Sequence, residues 1–294
     1  MKKILIVGGA GFIGSHVTDN LLAKGKEVMI FDRRTREPFR KDCNMFLGDV
    51  KNRESVFDAV YHSDGVIHLA SLLGTQESIE TACNSVEVNI VGSLNVFNAC
   101  RLHGKKAVYI AVGNHWMNNP YSITKTTAER FALMYNKEFG TKIALVRGLN
   151  AYGPRQKVRP VRKVMPNFIL PALKNENIII YGTGDQIMDM IYVTDIAEIL
   201  VRALLMNHEN YESAMEAGLG KDKTINDIAH LVIEVCESKS KIEHLKMRPG
   251  EISNSVVKGN VETLKCLDYP TEQMVALREG IEKTVEWYRH HLED

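Results

Sequence analysis

The stretch KILIVGGAGFIG at residues 3–14 determines the fold of the first half of this chain. The apolar run Ile4–Val7 predicts a buried strand, and Gly8, Gly11 and Gly14 follow it at GxxGxxG spacing. One glycine gives the turn its backbone angles, a second lets a pyrophosphate approach, and a third lets helix and strand pack closely. The helix that begins here points its N-terminus at the phosphates. The pattern therefore predicts a dinucleotide-binding Rossmann unit.

An acidic residue, Asp32, ends the second predicted strand eighteen residues after Gly14. A carboxylate at this place accepts hydrogen bonds from the adenosine ribose and repels a 2′-phosphate, which favours NAD. The neighbouring Arg33 and Arg34 leave NADP open, because a guanidinium beside the ribose can hold that phosphate. We expect NAD as the cofactor, with NADP as the alternative.

Short apolar runs alternate with helical patterns through the first half of the chain. The expected strands are 3–7, 27–31, 44–47, 65–69, 107–112 and 143–147, and the expected helices are 14–24, 53–61, 85–102 and 121–139. This alternation predicts an α/β fold whose doubly wound parallel sheet is covered on both faces. We expect residues 1–149 to form the cofactor domain, completed by about 182–206, and 150–294 to form mainly a smaller α/β substrate lobe.

The pattern loosens after Arg147. Residues 153–171 contain four of the eight prolines and predict a loop with a short helix. A strand at 178–181 and helices at 195–206, 224–236 and 280–292 are expected further on. Thr224 and Asp227 stand at a spacing close to that of a capping box, which predicts the start of one of these helices.

Composition argues against several classes of protein. Thirty-seven basic residues balance 36 acidic ones, so no net field attracts nucleic acid or an anionic membrane. The chain has no apolar run of about 18 residues, and Ile4–Val7 is too short for a signal peptide. Its five scattered cysteines contain no CxxC pair, so neither disulfides nor a zinc site are expected. A cytoplasmic protein with reduced thiols and no metal is the expectation.

A candidate catalytic pair, Tyr121 and Lys125, stands four residues apart at the start of a predicted helix, so both share one face. An ammonium beside a phenol stabilises the phenolate and lowers the phenol pKa from about 10. A phenolate can take a proton from a sugar hydroxyl while hydride passes to nicotinamide. Two unrelated helix-surface residues are the alternative, and the position after a Rossmann strand favours the catalytic interpretation.

Further motifs extend over nearly the whole chain. They are GDV at 48–50, HLAS at 68–71, NIVGSLN at 89–95, PYSITK at 120–125, RGLNAYGP at 147–154, YG at 181–182 and RPGE at 248–251. Together with the glycine loop, they resemble the extended short-chain dehydrogenase/reductase family, specifically its nucleotide-sugar epimerases and dehydratases.

The resemblance implies a set of site residues. Cofactor contacts are implied for Gly8, Gly11, Phe12, Ile13, Gly14, Asp32, Arg33, Asp49, Val50, Leu69, Ala70, Ser71, Asn89, Tyr121 and Lys125. Substrate contacts are implied for Asn150, Asn167, Tyr181 and Arg248. In the family, the equivalents of Asn150 and Arg248 hold the diphosphate, and the ring at Tyr181 stacks on the base.

Three positions depart from the family pattern. The family has a Ser or Thr after the strand that ends near Val112, and here Ala111–Gly113 carry no hydroxyl. Dehydratases continue with Asp-Glu, and here Asn114 and His115 follow. Met188 replaces an arginine that often grips the diphosphate. Either His115 or Asn114 takes over from the missing hydroxyl, or the protein only binds its cofactor.

Five cations lie within nine residues, namely Arg155, Lys157, Arg159, Arg162 and Lys163. A nucleic-acid patch is possible by charge, but the run contains no aromatic residue for base stacking. Because the run follows Asn150, a sugar-nucleotide diphosphate is the expected partner. Compensation for the arginine lost at Met188 is a second possible role of the run.

The sequence therefore predicts an enzyme, an NAD-dependent epimerase of a nucleotide-diphosphate sugar that works through a transient keto-sugar. Its catalytic candidates are Tyr121, Lys125 and His115. A dehydratase or keto-sugar reductase with a non-standard acid and base, and a catalytically silent NAD-binding regulator, are the alternatives. The resemblance also implies a homodimer, in which helices 85–102 and 121–139 pair as a four-helix bundle.

Overall fold

The computed structural model describes residues 1–34, 42–159, 161 and 163–291. Arg162 therefore lies outside the described residues. The strands are β1 (Lys3–Val7), β2 (Glu27–Asp32), β3 (Asn44–Leu47), β4 (Gly65–His68), β5 (Lys106–Val112), β6 (Ile143–Gly148), β7 (Asn150–Tyr152), β8 (Ile178–Tyr181), β9 (Ile187–Met188), β10 (Met190–Tyr192), β11 (Ala214–Ala217), β12 (Ile242–Leu245) and β13 (Val256–Val257).

Helices connect these strands. The α-helices are α1 (Phe12–Ala23), α2 (Arg53–Tyr61), α3 (Ala82–Ser85), α4 (Gly92–Leu102), α5 (Pro120–Phe139), α6 (Val164–Leu173), α7 (Val193–Leu205), α8 (Ile225–Val235) and α9 (Leu277–His290). A π-helical segment, Val86–Val91, joins α3 to α4, and 3-10 turns occur at Val261–Leu267 and Thr271–Gln273. In the described part of the chain, no helix has the length and apolarity that crossing a bilayer requires.

Among the described residues, seven strands form a parallel sheet in the order β11-β6-β5-β4-β1-β2-β3. β1 lies between β2 and β4, so that Ile6 pairs with Ile30 on one side and Ile67 on the other. The chain order reverses at β1 and β4, and ligands of such sheets bind beyond the carboxyl ends of the strands at this reversal. The predicted doubly wound sheet is confirmed.

Both faces of the sheet are buried, which explains the continuous apolar run of β1. Successive side chains of a strand point to opposite faces. Ile4 and Ile6 pack in the cluster formed with α1 and α7, whereas Leu5 and Val7 pack in the cluster formed with α2, α4 and α5. All four side chains are at most 1% exposed. The sheet is thus a rigid platform for the loops at its edge.

A separate apolar cluster forms the second lobe. It joins Tyr152 to Ile169 of α6, Ile180 of β8, Ile228 of α8 and Ile281 of α9. Two-stranded parallel pairs, β7 with β10, β8 with β12 and β9 with β13, complete this lobe. This lobe faces the cofactor sheet at the ends of its strands.

The capping box predicted for α8 is confirmed. The Thr224 hydroxyl accepts from the Asp227 backbone nitrogen at 3.0 Å, and the Asp227 carboxylate accepts from the Thr224 backbone nitrogen at 3.1 Å. These two bonds satisfy N–H groups at the helix start that have no partner within the helix. A purely local signal was enough to locate this helix.

Two predicted elements differ from the structure. The continuous helix expected at 85–102 is interrupted by the π-helical turn Val86–Val91, a rare form that is frequent at functional sites. The short helix expected within 153–171 is α6 at Val164–Leu173, which ends beyond that range. Pro166 lies in its first turn, where a missing N–H costs little, and Pro171 lies inside the helix. The domain boundary at residue 149 stays a prediction, and α7 and β11 extend the sheet and its cover from beyond it.

Candidate active site

One cavity of about 510 Å³ lies where the carboxyl ends of the central strands meet the second lobe. Most predicted site residues line it, namely Gly8, Gly11, Phe12, Ile13, Gly14, Asp32, Arg33, Asp49, Val50, Leu69, Ala70, Ser71, Tyr121, Lys125, Asn150, Asn167, Tyr181 and Arg248. Two predicted residues, Asn89 and His115, are not on its wall. The structure thus brings residues from distant parts of the sequence to one site.

The glycine loop leaves room for a diphosphate at the start of α1. Gly8 has φ +87°, and a Cβ there would lie 2.6 Å from the Ala70 backbone nitrogen. A Cβ on Gly14 would lie 2.7 Å from the Gly8 carbonyl oxygen, so this glycine serves helix packing. A Cβ on Gly11 meets that oxygen at 3.2 Å and otherwise extends along the cavity wall. Since Gly11 is the N-cap residue and has no side chain to cap α1, this N-terminus fits a phosphate group.

The adenosine end of the cavity carries two carboxylates. Asp32 accepts from the Ala10 backbone nitrogen at 3.1 Å, which ties the end of β2 to the glycine loop. Asp49 lies 3.9 Å from the guanidinium of Arg33, which is more than half exposed. A 2′-phosphate would meet both carboxylates, whereas ribose hydroxyls can donate to Asp32. This end of the cavity therefore fits NAD better than NADP.

A close contact positions the loop after β3. A Cβ on Gly92 would lie 2.6 Å from a Val50 methyl, so only glycine lets α4 approach this loop. The Asn95 amide donates to the Val50 carbonyl at 2.9 Å. The motifs GDV and NIVGSLN, distant in sequence, thus form one wall beside the adenosine end.

Asn89 connects two walls of the cavity from behind. Its amide oxygen accepts from the Leu72 backbone nitrogen at 2.7 Å, and its amide nitrogen donates to the Leu72 carbonyl at 3.1 Å and the Thr124 hydroxyl at 3.0 Å. Thr124 precedes Lys125 on α5, so the fully buried Asn89 fixes the loop after β4 against the start of α5. Its geometry suits a residue that supports the wall of the cavity, and its predicted contact with the cofactor stays a prediction.

The pair Tyr121 and Lys125 lies on the first turns of α5. Asn119 caps this helix by accepting from the Ser122 backbone nitrogen at 2.9 Å, and Pro120 occupies its first position. The Lys125 Nζ atom is buried and has no hydrogen-bond partner among the described residues. An orphaned buried donor on the wall of the cavity fits a ligand hydroxyl such as that of a ribose.

Burial dominates the protonation of this pair. It raises the pKa of Tyr121 to about 12 and lowers the pKa of Lys125 to about 7, where the Glu129 carboxylate opposes it. Each shift favours the uncharged form of the group. The sequence-based expectation that Lys125 lowers the pKa of Tyr121 is therefore outweighed by burial, a property that spacing alone does not carry.

Asn114 lies next to the positions where the family has a Ser or Thr hydroxyl and this chain has none. Ala111, Val112, Gly113 and Asn114 line the cavity. The Asn114 amide oxygen accepts from the Ser122 hydroxyl at 3.3 Å, directly beside Tyr121 in sequence. The His115 ring instead lies 3.2 Å from the Gly113 carbonyl oxygen. Of the two candidates for a replacement, the structure brings Asn114 to the site and leaves His115 off its wall.

The far end of the cavity combines an aromatic ring with a guanidinium. The Arg248 guanidinium carbon lies 4.8 Å from the ring centroid of Tyr181, and Glu251 pairs with that guanidinium. The Asn150 amide donates to the Asp189 carbonyl at 2.9 Å, which fixes its orientation. Asn167 and Met188 also line this end. The arrangement offers stacking for a base and positive charge for a phosphate.

The run of cations does not act as one patch. Arg155 pairs with Asp19 of α1 at 2.6 Å, and Lys157 and Arg159 are exposed. Among the cations of this run that the structure describes, only Lys163 lines the cavity. Its ammonium lies 6.0 Å from the ring centroid of Tyr121. Burial lowers the Lys163 pKa. Sequence reasoning named this lysine only as part of the run.

Two carboxylates at the site were missed. Glu77 and Glu251 both line the cavity, and both act to raise the pKa of the partly buried Lys163 ammonium. Glu251 belongs to the RPGE motif, which could have identified it as a site residue. Glu77 lies in a loop without a recognisable pattern, so no sequence signal pointed to it.

Comparisons with known proteins agree with this geometry. The NAD dependent epimerase/dehydratase family matches residues 4–215. A UDP-N-acetyl-alpha-D-glucosaminuronate decarboxylase of Bacillus cytotoxicus is 30% identical, over 98% of this chain and 98% of its own. The UDP-glucose 4-epimerase of Thermotoga maritima, solved with UDP-glucose, superposes with a TM-score of 0.91 at 26% identity, covering 99% of this chain and 100% of that one. The UDP-glucose 4-epimerase of Thermus thermophilus, solved with NAD, gives 0.87 at 28% identity, covering 98% and 99%.

The chain belongs to the NAD-dependent epimerase/dehydratase family. The resemblance stated from the motifs is thereby confirmed. The protein is an enzyme of this family, and NAD is its cofactor.

Proposed function

We propose that the protein epimerises a nucleotide-diphosphate sugar through a transient keto-sugar, with NAD as a cofactor that is restored in each cycle. The observation that carries this proposal is the cavity that joins the glycine loop, the Tyr121–Lys125 pair and the Tyr181–Arg248 end. The relatives from Thermotoga maritima and Thermus thermophilus, both UDP-glucose 4-epimerases, support it.

Tyr121 would act as the proton acceptor and donor of the reaction. As a phenolate, Tyr121 takes the proton of the reacting sugar hydroxyl, and the phenol so formed returns a proton to the keto oxygen after the keto-sugar has rotated in the site. Lys125, as an ammonium, stabilises the phenolate and donates to the nicotinamide ribose. When bound, NAD supplies the hydride acceptor and, once reduced, the hydride donor.

The nucleotide end of the substrate would be held by four side chains. Tyr181 offers its ring to the base, and Arg248 offers a guanidinium to the diphosphate. Asn150 and Asn167 line the same end and can donate to phosphate oxygens. Lys163 adds positive charge between this end and Tyr121, which supports its binding the substrate in place of the arginine lost at Met188.

We further propose that Asn114 replaces the missing Ser or Thr by donating a hydrogen bond to the reacting sugar oxygen. Asn114→Leu keeps the approximate volume and is expected to lower kcat by about 10- to 100-fold with little change in KM, since a hydrogen bond to a developing charge contributes about 1.5–3 kcal/mol. His115→Leu, the matched variant, is expected to lower kcat less. Steady-state kinetics of both variants measure these effects. A larger loss of kcat in His115→Leu than in Asn114→Leu would assign the role to that histidine.

A decarboxylase, dehydratase or keto-sugar reductase is the second candidate. The Bacillus cytotoxicus relative, named as a decarboxylase, favours this class of reaction. The decarboxylase and dehydratase reactions begin with the same oxidation of the sugar, and a keto-sugar reductase needs the same pair to protonate the keto oxygen, so Tyr121 and Lys125 alone do not separate them. The residues after Val112 differ from the Asp-Glu of dehydratases, which argues against ordinary water loss.

The decisive experiment incubates the protein and NAD with UDP-, dTDP-, GDP- and CDP-sugars. We expect transient absorbance of reduced nicotinamide with at least one sugar and, by NMR, a product that differs from it only in the configuration of one carbon. A product that has lost water or carbon dioxide would instead establish the dehydratase or the decarboxylase of the second candidate. Thermal stabilisation by NAD with none by any sugar would favour the silent regulator.

We also propose a homodimer in the cytoplasm. Val86, Val91 and Ile123 are large apolar side chains, 43–51% exposed, on the helices expected to pair as a four-helix bundle. Sedimentation at the mass of the 33.1 kDa monomer would contradict the dimer. The scattered cysteines support a reducing compartment, and recovery from an extracytoplasmic fraction would contradict it.

A further inference from the structure

The surroundings of the Lys125 ammonium contain an aromatic face. Lys125 is 1% exposed, and its Nζ atom lies 4.0 Å from the ring centroid of Tyr109 on β5. No hydrogen bond from Nζ to another described residue satisfies this ammonium. The electron-rich face of this ring favours the charged form of the ammonium.

The other titratable groups around Lys125 offer little counter-charge. Glu129, on the same helix, already accepts from the Arg147 guanidinium at 2.6 and 3.1 Å. His68 of β4 is fully buried, and burial lowers its pKa to about 3, so it is neutral at pH 7. Tyr121, with a pKa raised to about 12, is also neutral. Burial lowers the pKa of Lys125 to about 7, and the Glu129 carboxylate opposes this shift.

The Tyr109 ring is held so that its face stays under Nζ. Its hydroxyl donates to the Lys125 backbone carbonyl at 3.3 Å. Phe97 packs edge-on against the ring at 5.4 Å between centroids, and His68 lies at 5.5 Å. Tyr109 is itself fully buried, so water does not screen the contact. Cation–π attraction is strongest in such desolvated places.

We propose that Tyr109 is a positioning residue for the catalytic pair, whose ring face holds Lys125 in place and in its ammonium form at the wall of the cavity. Only the charged form of Lys125 stabilises the Tyr121 phenolate and donates three hydrogen bonds. The consequence for turnover rests on the proposed function. The contact itself does not, and it can be tested separately.

The test replaces Tyr109 by phenylalanine and by phenylalanines with an increasing number of ring fluorines, which weaken the negative ring face at nearly constant volume. The readout is the ¹³Cε resonance of Lys125 against pH in the whole protein with labelled lysines, assigned by its loss in Lys125→Met. Phenylalanine should leave the Lys125 pKa near that of the native protein, and full fluorination should lower it by about one unit.

The matched control places the same fluorinated residues at Phe97, which touches Tyr109 in the same core. A structural role alone would lower the melting temperature in both series and leave the Lys125 pKa unchanged along each. A flat pKa along the Tyr109 series, or an equal shift in both series, would overturn the proposal. Tyr109→Leu, if it folds, should lower the pKa to a similar extent.

Turnover then separates this proposal from the proposed function. With an active nucleotide sugar, the alkaline limb of the pH profile of kcat should report the deprotonation of Lys125. Along the fluorinated series this limb should move to lower pH together with the midpoint of the Lys125 resonance titration, while KM for the sugar stays constant. If no nucleotide sugar is turned over, the proposed function fails, and the resonance series still decides the role of Tyr109.

Discussion

Tyr121→Phe is expected to lower kcat by about 10²–10⁴-fold, the usual contribution of a positioned acid–base group. The substitution removes only the phenol oxygen, which is the group that takes the sugar proton in the proposed mechanism. The binding of NAD should be retained, because the glycine loop and Asp32 are untouched. Turnover of the active nucleotide sugar and a calorimetric titration with NAD measure the two effects.

Tyr135→Phe provides the control on the same helix. Tyr135 packs against Phe97 and Phe139 and is not on the wall of the cavity. The same loss of a phenol oxygen should therefore leave turnover unchanged there. Native turnover in Tyr121→Phe would remove this residue from the mechanism and with it the main argument for proton transfer on α5.

The cofactor half of the fold was predictable because its signals are local. Ile4–Val7 indicate a buried strand, and the three glycines restrict the turn that follows. Asp32 follows at the spacing that the βαβ unit dictates. Each of these inferences needs only neighbouring residues.

Apart from β8, which the sequence predicts at its observed bounds, the short strands of the second half were not predictable in the same way. β11, Ala214–Ala217, has little β propensity and is a strand because it pairs with β6, about seventy residues earlier. β7 and β10, of three residues each, likewise exist through pairing with each other. Strand formation in such segments is decided by tertiary partners, which the local sequence does not display.

The identities of the site residues could be predicted from the sequence, but the environment that sets their chemistry could not. The motifs named Tyr121 and Lys125, but burial sets their protonation, and burial depends on the elements that pack around them in the folded chain. The choice between Asn114 and His115 depends on which side chain a tight turn directs inward. Lys163 reaches the cavity because α6 begins there, a placement that its run of like charges did not suggest.

Gly11→Val is expected to lower the affinity for NAD by about 100-fold and to leave the fold intact. Gly11 has φ −76° and an extended ψ, a conformation open to valine, and the first atom that an added Cβ meets is the Gly8 carbonyl oxygen at 3.2 Å. The two methyl groups then occupy the space before the N-terminus of α1. Displacing a diphosphate from that space costs about 1–3 kcal/mol, or one to two orders of magnitude in Kd.

Gly14→Val is the comparison that separates packing from binding. Its Cβ would lie 2.7 Å from the Gly8 carbonyl oxygen and from the Gly9 Cα, so backbone must move and the melting temperature should fall. Gly11→Val should melt near the native temperature and yet gain little stability from added NAD, since a ligand stabilises only the form that binds it. Thermal unfolding with and without NAD measures both variants. If Gly11→Val gained as much stability from NAD as the native protein does, the diphosphate would not cross the loop at Gly11. The first motif of the sequence would then be structural at that position.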